Sequence, residues 1–177
     1  MKLIANQITN LTDARYFAAR GCYALFFDLD NPDLEEPQIS AIVEWISGPH
    51  IYVHTTQPEQ ISPAIASLAE GIWTDATGWS LPIHRFRTWD PDLVKTLDEA
   101  TWIVRQRDWL AFQTAFPQGQ EVILWVDTPD LQCLDVAADY GVWAVMIDGG
   151  DEETTGVKSF EAYDDFIDRW EELSAEE

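Results

Sequence analysis

Polar and titratable side chains recur in this chain where short apolar runs end: Asn6, Asp28 with Asp30, His54, Asp75, His84 with Arg85 and Arg87, Arg105, Asp127 and Asp148. Carboxylates, imidazoles and guanidinium groups brought to one place can exchange protons, hold a hard divalent cation or recognise a polar ligand. Spacing adds nothing for a metal beyond the residue types, so no metal and no cofactor is expected. His54 and His84 would titrate near neutral pH, although a solitary His at a strand end is more often hydrogen-bonded structure. Two arrangements remain open for such a ring. It forms a pocket for a cationic or polar small molecule, or its Arg side chains neutralise its Asp side chains and plug the opening.

Eight apolar runs of strand length must position these groups: Leu3 to Ile8, Tyr23 to Phe27, Ile51 to His54, Gly71 to Thr74, Leu81 to Phe86, Thr101 to Val104, Val122 to Val126 and Trp143 to Ile147. Helical spacing fills segments between and after them at Asp13 to Arg20, Gln38 to Trp45, Pro58 to Ala69, Asp92 to Leu97, Trp109 to Phe116, Pro129 to Tyr140 and Phe160 to Leu173. Thr12 is placed to cap the first helix, Asp90 with Pro91 to start the fourth, and Asp127-Thr128-Pro129 to open the sixth. Strand and helix in alternation imply a parallel sheet covered by helices, because each parallel crossover needs a dozen or more residues. Eight units favour a closed (β/α)8 barrel with short loops. An open doubly wound sheet is the alternative, but Gln7-Ile8-Thr9-Asn10 lacks the glycines of a nucleotide-binding first turn. In a barrel the C-terminal strand ends converge on one face, where ligands bind.

A chain of 177 residues is read as one domain, 1–177, with residues 171–177 as an acidic tail at the frayed end of the last helix. Ten basic residues against 32 acidic ones give a net charge of −22. Nucleic acid and anionic membranes require clustered Lys and Arg, so neither is an expected partner. The acidity serves solubility or, more specifically, function at high salt, where self-repulsion is screened. No apolar run approaches the roughly 20 residues that span a bilayer, and Cys22 and Cys133 stand far apart as small core residues. A cytoplasmic protein is expected. Nine Trp should mostly fill the layer between helices and strands, with Trp79 and Trp89 in loop-like sequence as the candidates for exposure. Exposed aromatic residues would suit a homodimer, though no motif specifies one.

The opening Leu3-Ile4-Ala5-Asn6-Gln7-Ile8-Thr9-Asn10-Leu11-Thr12-Asp13-Ala14, followed by Arg20-Gly21-Cys22-Tyr23-Ala24-Leu25-Phe26-Phe27, resembles the start of phosphoribosylanthranilate isomerase. That family typically reads Lys-Ile-Cys-Gly-Ile-Thr, an Asp-Ala helix, then Gly-Ala-Asp and Gly-Phe-Val-Phe. Further along, Gly71-Ile72-Trp73-Thr74-Asp75, Arg107-Asp108-Trp109, Ala144 to Glu152 and Gly156-Val157-Lys158 resemble later family segments in the same order. The resemblance implies a (β/α)8 barrel of the tryptophan-biosynthesis isomerase type. Such an enzyme converts a ribosylamine to an enol-ketone by proton transfer, with a Cys base on strand one and an Asp acid after strand six.

The departures fall on that chemistry. Asn6 stands at the Cys position, and an amide is not a useful base. Strand six runs Ile103-Val104-Arg105-Gln106 directly into Arg107-Asp108-Trp109, so the loop that carries the family's acid is missing. Asp108 is the relocated-acid candidate, in a position more typical of a helix cap. The family grips phosphate through backbone N–H groups after strands seven and eight. Here strand seven ends in Asp127-Thr128-Pro129, and Gly149 and Gly150 are flanked by Asp148, Asp151, Glu152 and Glu153. No basic residue lies in Asn31 to Glu36, where the family has its carboxylate-binding Arg. The resemblance therefore implies a divergent barrel that is non-catalytic or repurposed to bind a small molecule, with Asn6, Asp28, His54, Asp75, Arg105, Asp127 and Asp148 as the pocket and Gly149 and Gly150 as a residual phosphate site. The alternative is an active isomerase with relocated groups.

Overall fold

The computed structural model describes residues 1–78, 83–92, 100–117, 120–149 and 160–175. Eight parallel strands close into a barrel in chain order, β1 (Lys2–Asn6), β2 (Ala24–Asp28), β3 (His50–His54), β4 (Gly71–Trp73), β5 (His84–Thr88), β6 (Thr101–Arg105), β7 (Val122–Val126) and β8 (Ala144–Asp148). Closure is made by β1 on β8, in register from Lys2 opposite Ala144 to Asn6 opposite Asp148. The expected (β/α)8 barrel is therefore present, and the open sheet is excluded.

Around the strands lie α1 (Leu11–Ala19), α2 (Glu36–Glu44), α3 (Pro63–Leu68), α4 (Trp109–Ala115), α5 (Leu131–Tyr140) and α6 (Glu161–Ala175). Alternation along each strand separates two apolar layers. Ile4, Phe26, Tyr52, Phe86, Ile103 and Met146 fill the barrel interior, whereas Leu3, Leu25, Phe27, Val104 and Val145 face the helices. Among the described residues no helix is long and apolar enough to cross a membrane.

Several boundaries differ from expectation for physical reasons. Asn10, not Thr12, caps α1, its Oδ1 accepting the Asp13 N–H at 2.8 Å. Asp130 rather than Asp127 caps α5, taking the Gln132 N–H at 3.0 Å. The segment Pro58 to Ala69 divides into a 3-10 turn, Pro58–Gln60, and α3, because Pro63 holds Ser62 extended and Ser62 Oγ then caps Ile65. Helix α6 continues to Ala175, with Ser174 Oγ bonded to Met1 O, so the expected frayed tail is helical as far as it is described. From residue 93 on, the expected helix Asp92 to Leu97 lies outside the described residues.

Strand five shows the largest shift, from Leu81–Phe86 to His84–Thr88. Only Phe86 of this strand is buried, and Leu81 and Pro82 of the expected run lie outside the described residues. His84 consequently starts the strand instead of ending it. It lies at the opposite end of the barrel, 2.8 Å from Thr101 Oγ1 and stacked near Trp143. Arg87 likewise leaves the expected ring, its guanidinium lying 5.0 Å from the outer-layer Trp102 ring. Trp89 is buried, contrary to the exposure expected of it, and among the described residues Trp45 is the exposed indole at 71%; Trp79 lies outside them.

Candidate functional site

Each strand of a barrel contributes an inward-facing residue at its C-terminal end. Here Asn6, Asp28, His54, Asp75, Thr88 and Arg105, together with Gln7, Trp73 and Trp125, line a cavity of about 280 Å³ at that face. Neighbouring strands place the groups in contact: Asp28 stands opposite His54, His54 opposite Trp73 and Arg105 opposite Trp125.

A continuous network results. His54 Nδ1 lies 2.9 Å from Asp28 Oδ1, and its ring packs 4.5 Å from Trp73. Trp73 donates from Nε1 to Thr88 Oγ1 at 3.0 Å, while the Thr88 backbone N–H donates to Asp75 Oδ1 at 2.9 Å. The Trp73 and Trp125 rings meet edge to face at 5.2 Å. Over Trp125 lies the Arg105 guanidinium, its carbon 3.9 Å from the ring centroid. Behind this wall Asp148 Oδ1 accepts two hydrogen bonds, from Asn6 Nδ2 at 2.8 Å and Trp125 Nε1 at 3.0 Å. Burial pushes the Asp148 carboxyl above its usual range, against the opposing pull of those two donors and of the Arg105 charge.

The backbone at this face is also engaged. Gly149 N–H donates to Asn6 O at 2.6 Å, and a side chain at Gly149 would meet Asp13 Oδ2 at 3.1 Å. Asp13 is fully buried, so a carboxylate already sits beside the glycine expected to face a phosphate. The Asp127 N–H donates to Gln106 Oε1 at 3.3 Å, and Asp127 itself is exposed outside the cavity wall. Gly150 lies outside the described residues. Asp108 ends the 3-10 turn Gln106–Asp108 in the cap position of α4, makes no capping hydrogen bond, and lines a separate cleft of about 240 Å³ with Arg105 and Arg107.

Asp28, Asp30 and His54 bring possible metal-ligand atoms within 4.8 Å of one another. Both Asp30 oxygens, Asp28 Oδ1 and His54 Nδ1 carry internal bonds. Asp30 accepts from Thr55 Oγ1 and Thr56 N, both at 2.7 Å, and Asp28 Oδ1 accepts from Asp30 N as well as facing His54. Burial acts to raise the Asp30 carboxyl, and the hydrogen bonds from Thr55 and Thr56 outweigh it, so it lies below the usual range. The group works as a brace between the loops after β2 and β3.

Sequence reasoning listed five of the cavity residues and missed Gln7, Thr88, Trp73 and Trp125. The two indoles were legible in principle: Trp73 precedes Asp75 by two positions and Trp125 follows the interior Ile123 by two, so each shares the inward face. Gln7 has φ 55, a left-handed turn out of β1 that few side chains adopt.

No family model and no curated protein matches the chain. Solved structures do. A phosphoribosyl anthranilate isomerase from Thermus thermophilus superposes with a TM-score of 0.69 at 19% identity, covering 98% of this chain and 100% of that one. For the enzyme from Thermotoga maritima the values are 0.73, 17%, 97% and 99%, and for TrpF from Jonesia denitrificans 0.73, 15%, 100% and 100%. Likeness over the full length of each chain at such identity concerns architecture: this chain has a phosphoribosylanthranilate isomerase-like (β/α)8 barrel.

Proposed function

We propose that this barrel binds a small polar molecule at its mouth and does not perform the isomerase reaction for which its structural neighbours are named. The observation that carries the reading is the knot joining β1 to β8. The Asn6 side chain donates to Asp148, and the Asn6 carbonyl accepts the Gly149 N–H. By the family resemblance these positions belong to the base and to the phosphate cradle. An amide exchanges no proton at working pH, and an N–H already bonded to a carbonyl does not face an anion. The mouth nevertheless remains open, with Arg105 on Trp125 and Asp28 on His54 rather than a plug of Asp–Arg pairs among the described residues.

Expression in a tryptophan auxotroph lacking the isomerase tests the first half; growth would overturn it. A thermal-shift screen with amines, sugar phosphates and metal ions tests the second, and a ligand whose effect disappears on cavity substitution is expected. A rival reading, an isomerase with relocated groups, would draw on Asp108 in the cleft beside Arg105. Growth that is lost on Asp108→Asn would favour it.

A further inference from the structure

Away from the mouth, we infer that the outer face of α4 and α5 docks a second copy of this chain, Leu110 of each copy entering the groove between the two helices of the other. Among the described residues four large apolar side chains are exposed, and three of them, Leu110 at 76%, Leu131 at 45% and Val136 at 40%, lie on α4 and α5. The fourth, Trp45, ends α2. Buried Trp109 and Phe112 hold α4 to the barrel, and Leu110, Ala111, Thr114 and Ala115 are thereby turned outward as one face. Beside it, Trp109, Leu124, Cys133 and Val136 line a groove of about 210 Å³ between α4 and α5. That is below the size of ordinary small-molecule pockets and suits an inserted side chain. Knob and hole lie on the same face, which is the self-complementarity a two-fold contact requires.

Charge selects the occupant. Two chains of net charge −22 each repel one another, so they meet where like charges are fewest. Helix α4 carries no charged residue; α3 is also uncharged but exposes no large apolar side chain. The acids that line the groove or adjoin its exposed residues in sequence are already engaged. Asp135 accepts from Arg169 at 2.7 Å, Asp108 Oδ2 lies 3.5 Å from Arg107 Nε, and Asp130 caps α5. A basic partner would find these counter-charges taken, whereas an uncharged, self-complementary face suits another copy. Size sets the strength of the contact. Helices of 7 and 10 residues are about 10 and 15 Å long. Their faces fall short of the ~800 Å² per partner of a standard interface, so association belongs in the micromolar range.

Sedimentation equilibrium of the full chain from about 10 to 300 μM, in about 0.05 and 0.5 M salt, tests the inference. A mass approaching twice 20.2 kDa is expected at the upper concentrations, with tighter association at the higher salt because self-repulsion is screened. Leu110→Asp should weaken association by about 100-fold or more, since a two-fold contact holds two copies of each substitution. Val136→Asp should act the same way from the groove wall, and Trp45→Ser, on α2, should change nothing. All three side chains are exposed, so the core is untouched, and circular dichroism with thermal unfolding checks that each variant is folded. A monomer at the highest concentration in both salts would overturn the inference and leave this face to a partner of different sequence. A dimer that persists in both Asp variants, or that Trp45→Ser dissolves, would place the contact on another surface and overturn it as well. Association that weakens as salt rises would overturn it too, because ion pairs elsewhere would then be holding the copies together.

Discussion

Gly71 opens β4 beneath the mouth, and replacing it with Ala tests whether the barrel interior is packed as described. A Cβ there would lie 2.6 Å from Phe86 Cε2 and 2.8 and 3.0 Å from Tyr52 Cδ1 and Cε1. Favourable carbon contacts lie near 3.5–4.0 Å, so a ring must retreat by roughly 1 Å. Neither ring has room. Phe86 is fully buried, with ring centres of Tyr52 at 4.8 Å, Phe26 at 5.3 Å and His84 at 4.5 Å around it. Overpacking of this kind costs about 1–3 kcal/mol, partly offset by about 0.4–1 kcal/mol from the less flexible unfolded chain. A net loss of roughly 1–2 kcal/mol corresponds to a fall in Tm of about 2–8 °C for a protein of this size. Thermal unfolding followed by circular dichroism, with urea titration to check that the slope is unchanged, measures it. Phe86→Leu should rescue part of the loss, so the double variant should be more stable than the sum of the single changes predicts. Unchanged stability in Gly71→Ala, or strict additivity with Phe86→Leu, would refute the packing argument.

Four further outcomes are expected. Asp148 keeps its proton to higher pH in the folded state than in the unfolded chain, because of burial; stability should therefore fall as pH rises above the ordinary Asp value of about 3.9. Asp148→Asn retains an acceptor for Asn6 and Trp125 and should be at least as stable at pH 7, with a flatter profile in urea midpoints between pH 4 and 7; a less stable variant would contradict this. Partial desolvation against the Phe86 and Trp143 rings lowers the pKa of the otherwise accessible His84 below its usual value, so the unfolded chain takes up the proton first and stability declines as pH drops below about 6.5. His84→Gln should reduce the difference in urea midpoint between pH 7.5 and 5.5, and an identical slope would dismiss the assignment. With a net charge of −22, raising salt from about 0.01 to 1 M shortens the Debye length from about 30 to 3 Å and should raise Tm; a flat response would argue against self-repulsion. Cys22 and Cys133 are buried free thiols, the latter pushed up to about 11 by burial and by Asp130. Native protein at pH 7 should release little colour with DTNB, unfolded protein should release two equivalents, and rapid reaction of the native form would refute their burial.

The strand plan was legible because barrel strands are covered on both sides. Runs such as Val122–Val126, buried at every position, stand out without any knowledge of their neighbours. Strand β5 was misplaced for the converse reason: His84, Arg85, Arg87 and Thr88 surround one buried Phe86, and nothing local distinguishes such a strand from a loop. Capping was half legible. The residue types at Asn10, Ser62 and Asp130 are ordinary caps, but competing candidates such as Thr12 and Asp127 carry the same chemistry, and only the path of the chain selects between them.

For the site, the sequence by itself determined which side chains close most strands, since a polar residue ending an apolar run is a local fact. The period of two would also have assigned Trp73 and Trp125 to the inward face. Only the tertiary structure decided what those side chains do there. Asn6 and Asp148 are 142 positions apart and meet because β8 closes on β1. Arg105 rests on Trp125 because β6 and β7 are in register at those two residues. Local composition sets what each strand can bury, whereas hydrogen-bond partners at the mouth follow from closure and register, which no short stretch of chain encodes.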